Sequence, residues 1–251
     1  MSDHPYGALA PWYDDVMAHV DYPEWAAHVA RLWQFNAISP RKVLETAAGT
    51  LAMAPFLKRK GRTWVHSDLS WEMLNAASLN PLQRNPLPPR ITADFGHLPF
   101  RAQSFDALVC LYDAINYCLD HAALERYFQE AARVLKQDGT LLFDFVTTLN
   151  SARYFREFTT HELHQGAHII RESSWDPTLR IQHNSFTFFL PDLDGRFQRE
   201  QEHHMQRMWP MSLFKRLAKK AGFKWLGNWD GFTLDPSRQN SERVHVLCRK
   251  L

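Results

Sequence analysis

The chain is poor in the residues that build covalent or metal-bound frameworks. Its 251 residues include only three cysteines, Cys110, Cys118 and Cys248, and no CxxC pair. An odd cysteine count without paired spacing argues against a disulfide framework and against a thiolate zinc site. The HELH run at 161–164 lacks the HExxH spacing of a helical zinc site, so no metal is predicted.

An excess of one charge and long apolar runs are lacking as well. The 29 basic residues nearly balance the 27 acidic ones, which leaves a formal net charge of +2. This balance gives no electrostatic reason to expect a nucleic-acid partner. No run approaches the ~20 apolar residues of a membrane span, and the N-terminus lacks the basic and apolar segments of a secretory signal. We therefore expect no membrane partner and a cytoplasmic location.

Strand and helix patterns alternate from residue 42 onward. Short apolar runs typical of buried strands alternate with amphipathic helical segments, and two further strands close the chain. This order predicts an α/β fold, a Rossmann-like doubly wound sheet of seven mainly parallel strands. The predicted strands are 41–45, 63–67, 91–93, 105–111, 140–146, 223–229 and 244–249, and the helices between them are 51–60, 70–79, 121–136 and 212–221.

Two segments depart from this alternation. Residues 8–36 carry apolar residues at helical spacing, broken near Pro23, which predicts two helices. Residues 165–209 instead alternate polar and apolar residues, with turn residues at 192–195. They predict a small antiparallel sheet inserted into the α/β fold. The proline-rich segment at 80–90 is predicted to be a loop.

Acidic residues lie at the carboxyl ends of successive predicted strands. Glu45 is the last residue of the first predicted strand, Asp68 follows the second strand and Asp94 follows the third. Small residues at 47–49 come shortly after Glu45. Ligands of open parallel sheets bind at this edge. Carboxylates can accept hydrogen bonds from ribose hydroxyls and from an adenine amine. Because the loop has no Lys or Arg and no phosphate-binding motif, the pattern favours an adenosine without phosphates.

These segments together resemble class I S-adenosylmethionine-dependent methyltransferases. The motifs VLETAAGT, VHSDLSWEML, SFDALVCLYDAINY and ARVLKQDGTLLFDF follow the order and spacing of that family over roughly residues 41–146. The N-terminal pattern around Tyr13 and the DAINY segment look like a bacterial branch of small-molecule N- or O-methyltransferases. The resemblance implies S-adenosyl-L-methionine as cofactor and a small-molecule methyl acceptor as partner.

The resemblance also implies a division of the chain. Residues 1–40 would form a helical cover, and residues 41–150 with 211–251 would form the S-adenosylmethionine-binding domain. Residues 151–210 would form the antiparallel β insertion over the substrate site.

The resemblance assigns ten residues to the cofactor. Glu45 would orient the methionine amino group, and Ala47 and Gly49 would let the backbone pass the methionine. The others would hold the ribose, flank or read the adenine, face the sulfonium or reach the carboxylate: Asp68, Leu69, Met73, Asp94, Phe95, Leu111 and Tyr13. The family often has Gly-x-Gly-x-Gly in the turn, where this chain has Ala47, Gly49 and Leu51.

No single general base stands out on the acceptor side. Tyr112, Asn116 and His203 are predicted near the reacting atoms, in a wider set of candidates with Tyr6, Tyr117, Arg171, His204 and Arg207. His203 and His204 are neighbours on a predicted strand, so their side chains point to opposite faces. At most one of them can face the pocket.

Other interpretations stay open at this point. Asp68 or Asp94 taken singly fits an ordinary turn carboxylate. A nicotinamide-dependent oxidoreductase shares the strand–loop–helix order, but it needs a GxGxxG turn that Ala47–Leu51 does not supply. A non-catalytic S-adenosylmethionine-binding protein is the second alternative, since Thr46 and Leu51 depart from the motif.

Overall fold

The computed structural model describes residues 6–79, 82, 87–192 and 194–251. Within them, the strands are β1 (Lys42–Thr46), β2 (Thr63–Asp68), β3 (Arg90–Thr92), β4 (Phe105–Cys110), β5 (Leu135–Val146), β6 (Glu157–His164), β7 (Ala167–Asp176), β8 (Ile181–Pro191), β9 (Phe197–Arg207), β10 (Phe223–Asp230) and β11 (Arg243–Lys250). The α-helices are α1 (Tyr13–Val16), α2 (Tyr22–Phe35), α3 (Ala54–Leu57), α4 (Trp71–Ala76), α5 (His121–Val134), α6 (Thr148–Tyr154) and α7 (Met211–Lys220). Short 3-10 helices lie at Ala10–Trp12, Ala77–Leu79 and Ala114–Tyr117.

Seven strands form one sheet in the order β10-β11-β5-β4-β1-β2-β3. Strand β11 runs antiparallel to both of its neighbours, and the other neighbouring pairs are parallel. The predicted fold class is therefore confirmed. Because β1, β2 and β4 are parallel neighbours, the segments that follow them meet at one edge of the sheet.

Apolar side chains cover both faces of this sheet. Successive residues of β1 point to opposite faces, so Val43 packs toward α2 while Leu44 packs toward α5. Helices α5 and α7 share one apolar cluster, and α2 and α3 share the other. Within the described residues, no helix combines the length and the apolar character that crossing a membrane requires.

A second sheet of four antiparallel strands has the order β6-β7-β8-β9. The N-terminal segment packs against it through Leu9 and Val16, which contact Ile169, Phe186 and Phe188. The sequence predicted the last three strands but not β6. Strand β6 has an almost wholly exposed, polar pattern without buried apolar alternation, which is the signal that sequence analysis uses.

Three local predictions need comment. The helix predicted at 51–60 is only α3, because Leu51 adopts a left-handed φ of +59° and Lys58 is extended. The strand predicted at 140–146 begins earlier, as β5 at Leu135, and it contains a backbone irregularity at Asp138, whose φ is +60°. Most of the loop predicted at 80–90 lies outside the described residues, and β3 already begins at Arg90.

Candidate functional site

The turn after β1 is fastened to the end of β2. The Asp68 carboxylate accepts hydrogen bonds from the backbone N–H of Gly49 at 2.7 Å and of Ser70 at 2.9 Å. Burial raises the pKa of Asp68, and these N–H donors oppose that shift. Ser70 in turn caps α4 by accepting a hydrogen bond from the Met73 N–H at 3.1 Å, as its position before the helix predicts. One carboxylate therefore sets the shape of this edge of the sheet.

The turn itself uses a backbone that glycine favours. Ala47, Gly49 and Leu51 have φ values of +52°, +56° and +59°, in the left-handed region. These are the three positions at which the resembling family often has glycine. A side chain at Gly49 would place its Cβ 3.3 Å from Cε of Met73. The turn thus adopts left-handed backbone at all three positions, although only one of them is glycine.

A cavity of about 430 Å³ lies at this edge. Nine of the ten residues predicted to bind the cofactor line it: Tyr13, Ala47, Gly49, Asp68, Leu69, Met73, Asp94, Phe95 and Leu111. No Lys or Arg is found among its described lining residues, while two carboxylates, Asp68 and Asp94, are. This lining fits an adenosine group without phosphates, as the sequence suggested. We call this space the cofactor cavity.

Glu45 is the predicted cofactor residue that does not line the cofactor cavity. Its side chain is buried, and Oε2 lies 2.6 Å from Nδ1 of His66 on β2. A hydrogen bond between two buried groups on adjacent parallel strands positions the strand end below the turn. Glu45 therefore stabilises the end of β1, from which the turn begins, and does not line the cofactor cavity itself.

A second cavity of about 150 Å³ lies between the first sheet, the N-terminal segment and the second sheet. It shares five lining residues with the cofactor cavity: Tyr6, Tyr13, Tyr112, Tyr117 and His204. Burial raises the pKa of all four tyrosines, that of Tyr112 to about 12, so their hydroxyls stay protonated at neutral pH. We call this second space the acceptor cavity.

Hydrogen bonds connect the shared residues to a buried carboxylate. The hydroxyls of Tyr6 and Tyr117 lie 2.6 Å apart, and the Tyr117 hydroxyl lies 3.2 Å from Nδ1 of His204. Nε2 of His204 lies 2.6 Å from Oε1 of Glu202. Glu202 also accepts backbone N–H bonds from the N-terminal segment, including one from Ala8 at 2.8 Å. Burial opposes ionisation of Glu202, yet its hydrogen bonds and the nearby His204 lower its pKa.

Charged residues also close the acceptor cavity at the loop after β4. Arg243 of β11 donates to Asp113 at 2.6 Å and also pairs with the buried Asp144. Burial alone would lower the pKa of Arg243, but the negative charges of Asp113 and Asp144 outweigh this effect and raise the pKa. Tyr112 and Asp113 have φ values of +60° and +51°, so this ion pair holds a strained segment in place.

The three residues predicted near the reacting atoms take different places. Tyr112 lines both cavities. Asn116 is buried outside both linings, where it donates to the Arg207 carbonyl at 2.9 Å and accepts from the Val146 N–H at 3.1 Å. His203 lines the cofactor cavity but is exposed, with Nδ1 2.9 Å from the Ser185 hydroxyl. His203 and His204 thus both line the cofactor cavity, so the expectation that at most one would face the pocket is wrong, but only His204 is buried and also lines the acceptor cavity.

Sequence analysis missed several polar residues of the acceptor cavity and its surroundings. They are Asp113, Gln182, Asn184, Glu202, Gln206 and Arg243. One signal was available on β9, where Glu202, His204 and Gln206 recur at every second position and are all buried. The ion pair of Arg243 and Asp113 joins residues 130 positions apart, so no local pattern could have indicated it.

Comparisons with known proteins show similarity to methyltransferases. Residues 43–139 match the family model described as a methyltransferase domain. A curated protein named as a methyltransferase from Geobacillus sp. (strain WCH70) is 27% identical over 252 residues, which cover 98% of this chain and 99% of that protein.

Solved structures share the fold over nearly the whole chain. An S-adenosylmethionine-dependent methyltransferase from Clostridium acetobutylicum superposes with a TM-score of 0.80 at 22% identity, covering 98% of each chain. The sugar N-methyltransferase KedS8 from a Streptoalloteichus species superposes with a TM-score of 0.74 at 20% identity, covering 95% of this chain and 93% of the other. Both sheets of the present chain fall within this coverage.

Proposed function

The chain is a class I S-adenosylmethionine-dependent methyltransferase, and we propose that it transfers the methyl group to a nitrogen or oxygen atom of a small molecule. The predicted enzyme class and cofactor are confirmed by the family match and by the curated relatives. The acceptor atom and the residues that serve it are the proposal. The similarity in fold to a sugar N-methyltransferase is compatible with a nitrogen acceptor.

The junction of the two cavities carries this proposal. The acceptor cavity meets the cofactor cavity at five side chains, and four of these are tyrosines. A methyl group presented at this junction would meet an acceptor enclosed by the second sheet and by the N-terminal segment. The small volume of the acceptor cavity, about 150 Å³, favours a small molecule over a macromolecule.

The cofactor residues would act mainly by orientation. Asp68 keeps free lone pairs that can accept the ribose hydroxyls, and Ala47 and Gly49 leave the turn open for the methionine. Leu69, Met73 and Phe95 offer apolar surface to the adenine ring, and Asp94 offers it a hydrogen-bond acceptor. Bound S-adenosylmethionine supplies a methyl group on a positively charged sulfur. Because of that charge, the sulfur is a good leaving group without activation by the protein. Holding the acceptor in line is then the main contribution of the chain.

A proton must leave the acceptor nitrogen or hydroxyl. We assign its removal to the hydrogen-bonded series Tyr6–Tyr117–His204, with Glu202 orienting the imidazole. The Glu202 carboxylate accepts a hydrogen bond from Nε2 of His204, which leaves Nδ1 as the ring nitrogen that faces the Tyr117 hydroxyl. His204 replaces His203 in this role because its side chain is buried at the junction of the two cavities.

The test is turnover with isotope-labelled cofactor and a panel of small amines, phenols and alcohols. Formation of S-adenosylhomocysteine together with a product labelled on nitrogen or oxygen is the expected result. A label on carbon would contradict the assigned acceptor atom. Failure to form S-adenosylhomocysteine with any member of the panel, in a protein that binds the cofactor, would contradict small-molecule transfer.

A further inference from the structure

One cation of the acceptor cavity has no ionic partner among the residues that the structure describes. Arg171 lies on β7 and lines that cavity, where its Nη2 donates to Oδ1 of Asn184 at 3.1 Å. Its Nε is buried without a hydrogen-bond partner, and no carboxylate of the described residues lies within ion-pair distance of its guanidinium. Arg243, in the same cavity, is paired with two carboxylates. The Arg171 side chain is half-buried, and a partly desolvated charge without a counter-charge is costly, so a partner from outside the described residues would stabilise it.

The surroundings of Arg171 orient the guanidinium without neutralising it. Its central carbon lies 5.3 Å from the ring centroid of Phe155, 5.6 Å from that of Phe186 and 6.0 Å from that of Phe158. Such ring contacts stabilise a cation modestly and leave its in-plane N–H donors available. Burial lowers the pKa of Arg171, and the negative charge of Glu162 opposes that shift. Glu162 itself is paired with His164 at 2.8 Å.

The nearest polar neighbours cannot supply the missing anion. Oδ1 of Asn184 already accepts the Ser173 hydroxyl at 2.6 Å as well as Arg171. The carboxylate of Asp113 is held by Arg243 and by Gln206, at 2.6 Å each. The described residues therefore leave donors of Arg171 for a partner from outside the chain. A planar guanidinium matches a carboxylate, which it can bind through two parallel hydrogen bonds.

We propose that Arg171 binds a carboxylate of the methyl acceptor, so that the substrates are small carboxylic acids with a nitrogen or oxygen nucleophile. This inference rests on the proposed function, because it places the acceptor in the cavity beside the cofactor. The acid group lies against β7, and the apolar body lies among the aromatic side chains. The nucleophile then faces the tyrosines shared by the two cavities.

Binding of matched acid and amide pairs tests this assignment without turnover. The probes are para-aminobenzoate with para-aminobenzamide and para-hydroxybenzoate with para-hydroxybenzamide, titrated by calorimetry into protein saturated with S-adenosylhomocysteine. We expect the acids to bind at least about tenfold more tightly than their amides, because a charge-assisted hydrogen bond is lost with each amide. In Arg171→Gln the ratio falls to about one, and Arg171→Lys retains part of it.

Two controls distinguish an effect at Arg171 from the loss of any arginine and from an effect on cofactor binding. Arg199→Gln, an exposed arginine on β9, should keep the wild-type ratio. Arg171→Gln should bind S-adenosylhomocysteine like the wild type, since Arg171 does not line the cofactor cavity. The assignment of Arg171 to the acceptor carboxylate is overturned if no acid binds, if acid and amide bind equally, or if Arg171→Gln keeps the wild-type ratio. If neutral amines or phenols are still methylated in that event, the proposed function stands; if no nucleophile is methylated, it fails as well.

Discussion

The backbone N–H of Gly49 donates a 2.7 Å hydrogen bond to the carboxylate of Asp68, which joins the turn after β1 to the end of β2. The second carboxylate oxygen accepts the N–H of Ser70. One buried side chain thus fixes two neighbouring loops at the edge where the cofactor cavity lies. The same oxygens are the acceptors that we assign to the ribose.

Replacing Asp68 should therefore weaken cofactor binding in two ways. Asp68→Ala removes the ribose acceptor and frees the turn, so calorimetry should show affinity for S-adenosylhomocysteine lower by at least about tenfold. This corresponds to the loss of one charge-assisted hydrogen bond, worth ~1.5–3 kcal/mol. Asp68→Asn keeps one oxygen acceptor and should lose less. The control Asp235→Ala changes an exposed carboxylate that does not line the cofactor cavity, and this variant should bind S-adenosylhomocysteine normally. Normal binding of S-adenosylhomocysteine by a folded Asp68→Ala protein would show that Asp68 does not hold the cofactor.

A side chain at Gly49 should damage the turn more than it damages the fold. In Gly49→Ala the new Cβ would sit 3.3 Å from Cε of Met73, at a φ of +56°. We expect a loss of ~1–2 kcal/mol in unfolding free energy from the left-handed backbone, plus weaker binding of S-adenosylhomocysteine.

Gly61→Ala is the matched control for that variant. Gly61 has a φ of +79°, and no heavy atom lies within 4 Å of the added Cβ. It should lose a similar amount of stability, measured by urea unfolding, while its cofactor affinity stays unchanged. Equal loss of affinity in both variants would mean that the effect is general destabilisation.

The hydrogen-bonded series should matter for kcat more than for cofactor binding. His204→Gln and Tyr117→Phe should each lower kcat by about 100-fold or more, the size of a general-base contribution. His203→Gln should have a much smaller effect, because His203 is exposed and bonded to Ser185. Steady-state kinetics with calorimetry on all three variants makes the comparison. The opposite ranking of His203 and His204 would assign the proton transfer to His203.

Two buried histidines predict an acid-sensitive fold. Burial lowers the pKa of His28 and of His245 to about 3, from an unfolded value of 6.5, and their rings are 4.5 Å apart. Below about pH 6.5 the unfolded chain binds protons that the folded chain does not. Stability is then highest above about pH 6.5 and decreases toward pH 3, by up to about 1.4 kcal/mol per unit for each histidine.

Urea unfolding at several pH values checks this slope. The double variant His28→Gln and His245→Gln should show a shallower decrease in unfolding free energy between about pH 6.5 and 5 than the wild type. His121→Gln replaces an exposed histidine and should keep the wild-type slope. An unchanged slope in the double variant would show that other groups dominate acid unfolding.

Local signals were enough for the main sheet, and long-range packing decided the rest. Ser70 before α4 and Gly222 after α7, with its φ of +88°, mark helix ends through short-range chemistry. The short α3 could not be predicted, because the left-handed backbone at Leu51 precedes it. The Leu51 side chain is fully buried in a cluster with Ala54, Leu74 and Ala77. That tertiary packing offsets the backbone strain of a leucine where the resembling family often has glycine.

In the candidate site, too, the sequence predicted the part that depends on local order and not the part that depends on long-range packing. Cofactor residues follow strand ends, so their order in the chain predicted where they would lie, and nine of ten line the cofactor cavity. The acceptor side is built from the second sheet and the N-terminal segment, whose relative position depends on contacts such as that of Ala8 with Glu202. Residues such as Asp113 and Arg243 carry no motif, because their role comes from meeting across 130 positions.

The most direct test of the central claim is mass spectrometry of the product formed with isotope-labelled S-adenosylmethionine. The protein is incubated with the panel of small amines, phenols and alcohols, and S-adenosylhomocysteine is measured in the same samples. We expect S-adenosylhomocysteine in equal amount to a product that carries the label on nitrogen or oxygen. A label on carbon, or no S-adenosylhomocysteine from a protein that binds the cofactor, would contradict it.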